Sequence, residues 1–335
     1  MDAKQPSIST QFAKTKVICV GRYLIDIPES ATLAYGRMHV PFETVRLAGK
    51  GNDMANIIAL HSQMLDKRRN EARRELREDD SLLGKVIQGH SPNQKLLFDL
   101  SKLAPDKYSL KAYVSVGPDL YVIFGDSYAS KTTVMGSVAE LLKAADRIKP
   151  MKAGEIPEQP GFCINGAIVD DADNTKAERV ELGIRFENHP DVRFSMEMVR
   201  KTRAVHSDAL EPRLKEAEKD AFSKGMGEWY SKIVQFRRGS RKLGPWEGFE
   251  ALAWLPPFED NVGVHQFNFV ALGEPNNSYV PMVDFMLDTG VMKNTRASVK
   301  PSISDEEALF VWEKLLSSLR VRPLKTGGGE KSRSQ

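Results

Sequence analysis

Residues 17–27, VICVGRYLIDI, are mostly apolar and stop at Pro28, which predicts a buried strand followed by a turn. Extended sequence continues to residue 47, where GKGND (49–53) breaks it. Ile57, Leu60, Met64 and Leu76 then fall at helical spacing and predict a helix over about 53–78, its second half nearly all charge. KYSLKAYVSVGPDLYVIFGDSY (107–128) alternates on both sides of Gly-Pro-Asp, a hairpin pattern. SKTTVMGSVAELLKAADRIKP (130–150) is an amphipathic helix that ends where a proline pushes its predecessor out of the α region. MKAGEIPEQP (151–160) has no periodicity and reads as a linker.

The same order then recurs. CINGAIV (163–169) is a strand, and residues 178–201 form a hairpin turning at NHPD. Residues 207–234 read as a long charged helix capped by Ser207 or Asp208. Strands flank EPNN within 265–287, and a closing helix from Ser304 carries the capping box Ser304–Glu307. RIKP (147–150) ends the first closing helix and RVRP (320–323) the second. The expected fold is therefore α+β, with two tandem similar domains at 17–150 and 161–323. Each has an antiparallel sheet, a long charged helix and a closing C-terminal helix. Residues 1–16 are expected to be a flexible leader and 324–335 a disordered tail.

Composition narrows the function classes. The 335 residues carry 48 basic and 45 acidic side chains, a net charge of +3, too little for a nucleic-acid grip built on counterion release. No stretch approaches the roughly 18 apolar residues of a membrane helix, and the first fifteen residues lack a signal-peptide core. The only two cysteines are Cys19 and Cys163. In a reducing compartment they are small core hydrophobes; in an oxidising one they can make one bridge closing a loop of more than 100 residues. Neither has a second ligand at zinc spacing.

Catalytic patterns are sparse. GDSYA (125–129) approaches a nucleophile elbow, with Ser127 as nucleophile and Asp170, Asp171 or Asp191 and His206 or His265 as partners. Ala129 replaces the last glycine, and the preceding hairpin is antiparallel where the elbow needs a parallel sheet, so helix capping by Asp126, Ser127 or Ser130 fits better. His189-Pro190-Asp191 matches the tripeptide of chaperone J-domains but lies between strand patterns, where turn chemistry explains it. The six histidines form no metal-type pair on a helix, so neither metal nor cofactor is expected. The charge run 66–80 mixes both signs as a salt-bridged helix face does. Trp229, Tyr230, Trp246, Phe249 and Trp254 suit a core, whereas WLPPFEDNVG (254–263) reads as a loop available for binding.

CVGRYLIDIP (19–28), with GFC (161–163) opening the second domain, resembles the immunity proteins of type VI secretion lipase effectors, in particular the class cognate to the fourth class of these phospholipases. The resemblance runs from about Val17 to Pro323. It implies a periplasmic protein without catalytic activity. That protein binds a cognate secreted phospholipase, holds its lid region between two domains and blocks interfacial activation. Because the family is exported, the sequence is expected to be the mature part.

The periplasm would let Cys19 and Cys163 join, which would fix the angle between the domains. Arg22 and Asp26, opposite Tyr23 and Ile25 on their strand, are expected to make structural pairs. The partner-binding residues are expected on exposed connections of the second domain: Pro257, Phe258, Glu259, Asp260 and Asn261, then Asn276, Asn277 and Tyr279. The competing readings are a serine ester hydrolase using Ser127 and a cell-envelope binding module with another partner.

Overall fold

The apolar run at 17–27 is a hairpin and not one strand. Val20 pairs with Tyr23, so Gly21 and Arg22 form a two-residue turn, and Gly21 at φ +58° supplies the backbone such turns require. The computed structural model describes residues 7–78, 81–128, 130–170, 177–291 and 299–324. Ala129, Asp171, residues 79–80 of the charge run and all but residue 324 of the predicted tail lie outside the described residues.

In chain order, α1 (Ile8–Gln11) precedes β1 (Thr15–Val20), β2 (Tyr23–Pro28), β3 (Thr32–His39) and β4 (Glu43–Leu47). Next come α2 (Met54–Arg68), β5 (Val86–Gln88), β6 (Gln94–Leu100), β7 (Lys107–Val116) and β8 (Asp119–Tyr128). α3 (Lys131–Asp146) and β9 (Ile148–Pro150) lead to β10 (Gly161–Ile164), β11 (Ala167–Asp170), β12 (Arg179–Phe186) and β13 (His189–Val199). α4 (Leu210–Ser223), α5 (Gly227–Tyr230), β14 (Val234–Leu243) and β15 (Trp246–Leu255) follow. β16 (Val264–Ala271), β17 (Met282–Asp288), α6 (Asp305–Ser318) and β18 (Arg320–Val321) end the described chain. The α+β class predicted from sequence is the one observed.

The chain divides into two compact units, and their boundaries differ from the contiguous ones predicted. One unit holds 1–36, 154–160 and 178–335; the other holds 37–153 and 161–177. The opening hairpin β1–β2 therefore belongs with the later half, and β10–β11 with the earlier half. The physical reason is strand pairing. β18, from RVRP, adds to β2, and β9, from RIKP, adds to β11, giving small sheets of order β1-β2-β18 and β10-β11-β9. The two closing tetrapeptides are thus both edge strands laid on a hairpin.

In the unit containing the C-terminal half, the large sheet runs β14-β15-β16-β17-β13-β12, antiparallel throughout, with the first part of β3 beside β12. Alternation along β13, β16 and β17 sends Phe194, Phe267, Phe269, Phe285 and Leu287 to one buried face. α6 covers that face with Val311, Trp312, Leu315 and Leu316, and Trp312 lies 6.1 Å from Phe194 and 6.0 Å from Phe267, ring centre to ring centre. The predicted capping box starts α6: Ser304 Oγ accepts from Glu307 N–H at 3.3 Å, and Ser304 N–H donates to the Glu307 carboxylate at 3.1 Å. The leader is not free from residue 7 onward. Ile8 is fully buried, and Phe12 meets Phe310 edge-on at 5.6 Å, because apolar side chains at 8 and 12 give the short helix something to bury.

In the other unit the sheet runs β4-β8-β7-β6-β5. Tyr113 and Val122 face α2 through Met54 and Ile58, while Gly125 sits against Leu141 of α3, so helices cover opposite faces. Double coverage explains why β8 begins with an unbroken buried run from Asp119 to Ile123. α2 stops at Arg68, and the rest of the predicted helix is two 3₁₀ turns, at 69–71 and 74–76. Beyond Arg68 the charges pair locally, Arg68 with Glu71 and Arg69 with Asp66, but no apolar stripe remains to hold a helix on the sheet. Leu60 and Met64, expected on the buried face, are exposed; Met54, Ile58 and Leu65 take that role.

Two further expectations change. The helix predicted over 207–234 breaks at Gly225, whose φ is +74°, into α4 and α5, and its N-cap is Ala209 with no side-chain cap. The hairpin at 178–201 turns on Glu187 and Asn188, one step before the predicted NHPD, with Asn188 at φ +63°. No helix among the described residues is long and apolar enough to cross a membrane.

Candidate functional site

The two predicted binding loops are the connections on either side of β16. The first, 256–263, joins β15 to β16, and the second, 272–281, joins β16 to β17. They therefore lie at opposite ends of that eight-residue strand, roughly 24 Å apart at the usual strand rise. The structure does not bring the eight predicted residues into one patch.

The first loop is a tight turn. Phe258 N–H donates to the Asn261 carbonyl at 3.2 Å, and Asn261 N–H donates to the Phe258 carbonyl at 2.9 Å. Glu259 and Asp260 form its exposed tip, with Glu259 held at φ +51°. Trp229 of α5 braces the loop: its indole N–H donates to the Pro256 carbonyl at 3.0 Å, and its ring meets Phe258 at 5.8 Å. Beside it, Phe222 at the end of α4 is 58% exposed and lies 5.8 Å from Tyr230. Of the aromatics expected in the core, Trp246 is fully buried, whereas Trp229 and Tyr230 are only half-buried. Sequence reasoning missed Phe222 and these two as surface residues. The available signal was Gly225, which stops the helix before the aromatic pair.

The second loop is pinned by the opening hairpin. Tyr23 Oη donates to the Tyr279 carbonyl, and the Arg22 guanidinium sits 5.2 Å from the centre of the Tyr279 ring. Arg22 also forks onto Glu178, with Nε donating to Oε2 at 3.0 Å and Nη2 to Oε1; both residues are buried. Arg200 donates twice to the Asn276 carbonyl, at 3.1 and 3.0 Å, and Asn276 N–H donates to the Lys201 carbonyl at 2.8 Å. Asn277 Oδ1 accepts from Tyr279 N–H at 2.8 Å, while its amide donates to Glu274 at 2.7 Å. Burial drives the Tyr23 phenol far above its ordinary range, so it stays a donor. The Gly-Arg-Tyr of the opening motif is thus a brace for this loop. Asp26 pairs with Arg320 at 2.9 Å, as a structural role predicts.

A concave surface lies on the sheet face away from α6. It is an open groove of about 550 Å³ where Glu181, Glu197 and Asp284 stand directly opposite one another on β12, β13 and β17. Arg179 pairs with Glu181 at 2.6 Å and Glu197 at 2.7 Å, and Arg213 with Asp284 at 3.0 Å. Burial pushes the Glu197 carboxyl up, with Glu181 and Asp284 adding to the shift and Arg179 opposing it.

The enzymatic candidates have structural occupations. Ser127 is buried, with its hydroxyl bonded to Ser137 Oγ at 3.2 Å and to the Tyr128 carbonyl at 3.3 Å. His189 and Asp191 are also buried, and they lie in β13 and not in the turn expected of them. His189 Nδ1 lies 2.9 Å from Ser302 Oγ, and Asp191 accepts from Ser302 N–H at 3.0 Å and Gly290 N–H at 3.3 Å. His265 is held by Thr289 at 3.0 Å and Asp305 at 2.8 Å, His206 is exposed, and Asp170 accepts from Arg147 through its carbonyl. Among the described residues, no group of three or more His, Cys, Asp and Glu is placed to hold a metal. Cys19 and Cys163 occupy matching positions in their hairpins, each in the second pair from the two-residue turn, opposite Leu24 and Ile168. Both are buried and disulfide-bonded.

Residues 155–324, half of the chain, match the model of the Tle cognate immunity protein 4 C-terminal domain. The chain belongs to this immunity-protein family. Its fold is shared with solved immunity proteins. The chain of the Tle4–Tli4 complex superposes with a TM-score of 0.73 at 23% identity, over 93% of this chain and 99% of that one. The immunity protein TplEi of the type VI secretion system of Pseudomonas aeruginosa superposes with TM-scores of 0.70 free and 0.68 complexed with an "L" peptide. Both are 22% identical, over 92% of this chain and 98% of theirs. No curated protein matches the chain.

Proposed function

We propose that this Tle cognate immunity protein 4 family member binds and inhibits a cognate type VI-secreted lipase in the periplasm. The family match over 155–324 carries the reading, supported by the common fold with the chain of the Tle4–Tli4 complex. Binding surfaces on both units engage the lid region of the lipase and favour its closed state. Activity then falls by the ratio of affinities for the closed and open lid. Such an inhibitor works through a complementary surface of roughly 1,200–2,000 Å² and no reacting group. The exposed loops 256–263 and 272–281, both on the unit that contains the C-terminal half, suit that unit's share of this role because their backbones are already fixed, so binding orders little new chain. A Cys19–Cys163 bond would likewise remove freedom between the units.

Growth of a laboratory bacterium tests the reading. Exporting the lipase effector of the same cell to its periplasm is expected to stop growth, and co-exporting this chain to restore it. The same chain held in the cytoplasm is expected to give no protection, and a Cys19→Ser, Cys163→Ser variant weaker protection. Arrested growth despite an exported, folded chain would contradict the proposal. The serine-hydrolase reading gains no support from Ser127, whose hydroxyl is engaged by Ser137 and the Tyr128 carbonyl.

A further inference from the structure

Glu259 adopts φ +51°, a left-handed conformation that glycine or asparagine would occupy at less cost. The turn that imposes it is closed by two backbone hydrogen bonds and held from below by Trp229. Two neighbouring carboxylates, Glu259 and Asp260, stand exposed at the tip of that turn. Strain kept at an exposed acidic tip points to a use for the charge. The Phe258 ring, adjoining that tip, packs against Trp229, and the next residue, Tyr230, meets Phe222. The exposed part of this row belongs to Phe222, with Val234, at the start of the neighbouring strand, half exposed at 50%. Large aromatics on a fixed backbone, bordered by a charged tip, are the composition of an interface centre with a polar rim.

We propose that the aromatic shelf Phe222, Trp229, Tyr230 and Phe258, rimmed by Glu259 and Asp260, receives one segment of the effector that carries an arginine or lysine flanked by apolar side chains. The apolar side chains lie on the rings, and the cation meets the two carboxylates. This assignment rests on the immunity reading above and names the chemistry of part of its contact. The two halves of the surface contribute differently. Ring contacts slow dissociation, whereas exposed carboxylates mainly accelerate encounter and make it depend on salt.

The test is binding of the purified lipase effector of the same cell, measured as association and dissociation rates at low and physiological ionic strength. Phe222→Ala is expected to weaken binding at least tenfold, mostly through faster dissociation. Glu259→Gln with Asp260→Asn, which leaves the turn backbone and the rings intact, is expected to slow association severalfold and flatten its salt dependence. Hydrogen exchange supplies a readout that does not depend on any variant folding: amides of 227–230 and 256–262 are expected to slow in the complex. If the unmodified chain binds while both variants bind equally well and these amides are unchanged, the shelf assignment is overturned and the immunity reading stands. Loss in Phe222→Ala alone overturns the charged half of the assignment. An unmodified chain that does not bind the effector overturns both.

Discussion

Arg22→Met is expected to destabilise the unit that contains the C-terminal half by about 3–5 kcal/mol, because it leaves Glu178 as a buried carboxylate without its guanidinium. The size follows from the asymmetry of buried ion pairs. Forming one returns little beyond the cost of dehydrating both groups, but deleting one partner exposes that full cost. Arg22→Met with Glu178→Leu should therefore recover most of the loss, since both charges are then gone and apolar volume replaces them. Chemical denaturation of the single and double variants measures the difference. A single variant as stable as the unmodified chain would show that the fork contributes nothing. Loop 272–281 provides a second readout. Without the guanidinium over the Tyr279 ring, hydrogen exchange at 276–279 is expected to quicken.

Trp312→Ala is expected to cost about 4 kcal/mol, lowering the thermal midpoint on the order of 10 °C. Trp312 is fully buried between Phe194 and Phe267, so truncation opens a cavity that the sheet behind it cannot collapse to fill. Its indole N–H also donates to Glu250 at 2.8 Å, a carboxylate only 1% exposed that already holds Arg237 and Arg241. Trp312→Phe keeps most of the volume and loses that donor together with part of the ring, so its cost is expected to be about 1–3 kcal/mol. Equal losses in the two variants would mean that the hydrogen bond, and not the packing, dominates.

The parts of this fold legible from sequence are those whose signals are local. The capping box of α6 needs only Ser304, Glu307 and an apolar run behind them, and all three are adjacent. The β7–β8 hairpin announces itself through alternation on both sides of Gly117-Pro118. Elements buried on both faces, or exposed on both, lose that alternation. β2 is buried at five of its six positions, so nothing in its pattern separates it from β1 except Gly21. β14, an edge strand exposed along most of its length, has no apolar alternation to announce it. The placement of β1–β2 with the later half and β10–β11 with the earlier half depends on pairings such as Leu24 with Arg320, across nearly the whole chain. No local pattern encodes such a pairing, although the likeness of RIKP and RVRP was its trace.

The candidate site was legible in outline. Proline-rich, acidic composition marks loop 256–263 as a connection between strands, and Glu259 and Asp260 are exposed there. The aromatic residues beside it have the composition of a core, because burial preference alone does not distinguish a half-buried surface ring from an interior one. The bracing of loop 272–281 by Arg22 and Tyr23 also had no sequence signal, since the residues are more than 250 positions apart. Arg22 and Tyr23 of the opening motif therefore position a distant loop, while Leu24, Ile25 and Ile27 belong to the core.

The most direct test of surface inhibition is to titrate the cognate lipase with this chain during hydrolysis of phospholipid vesicles. Activity is expected to fall linearly to a residual level at a fixed integral ratio of chain to lipase, and the chain alone should release no fatty acid. Hydrolysis that continues undiminished at excess chain, or ester turnover by the chain itself that is lost in Ser127→Ala, would contradict it.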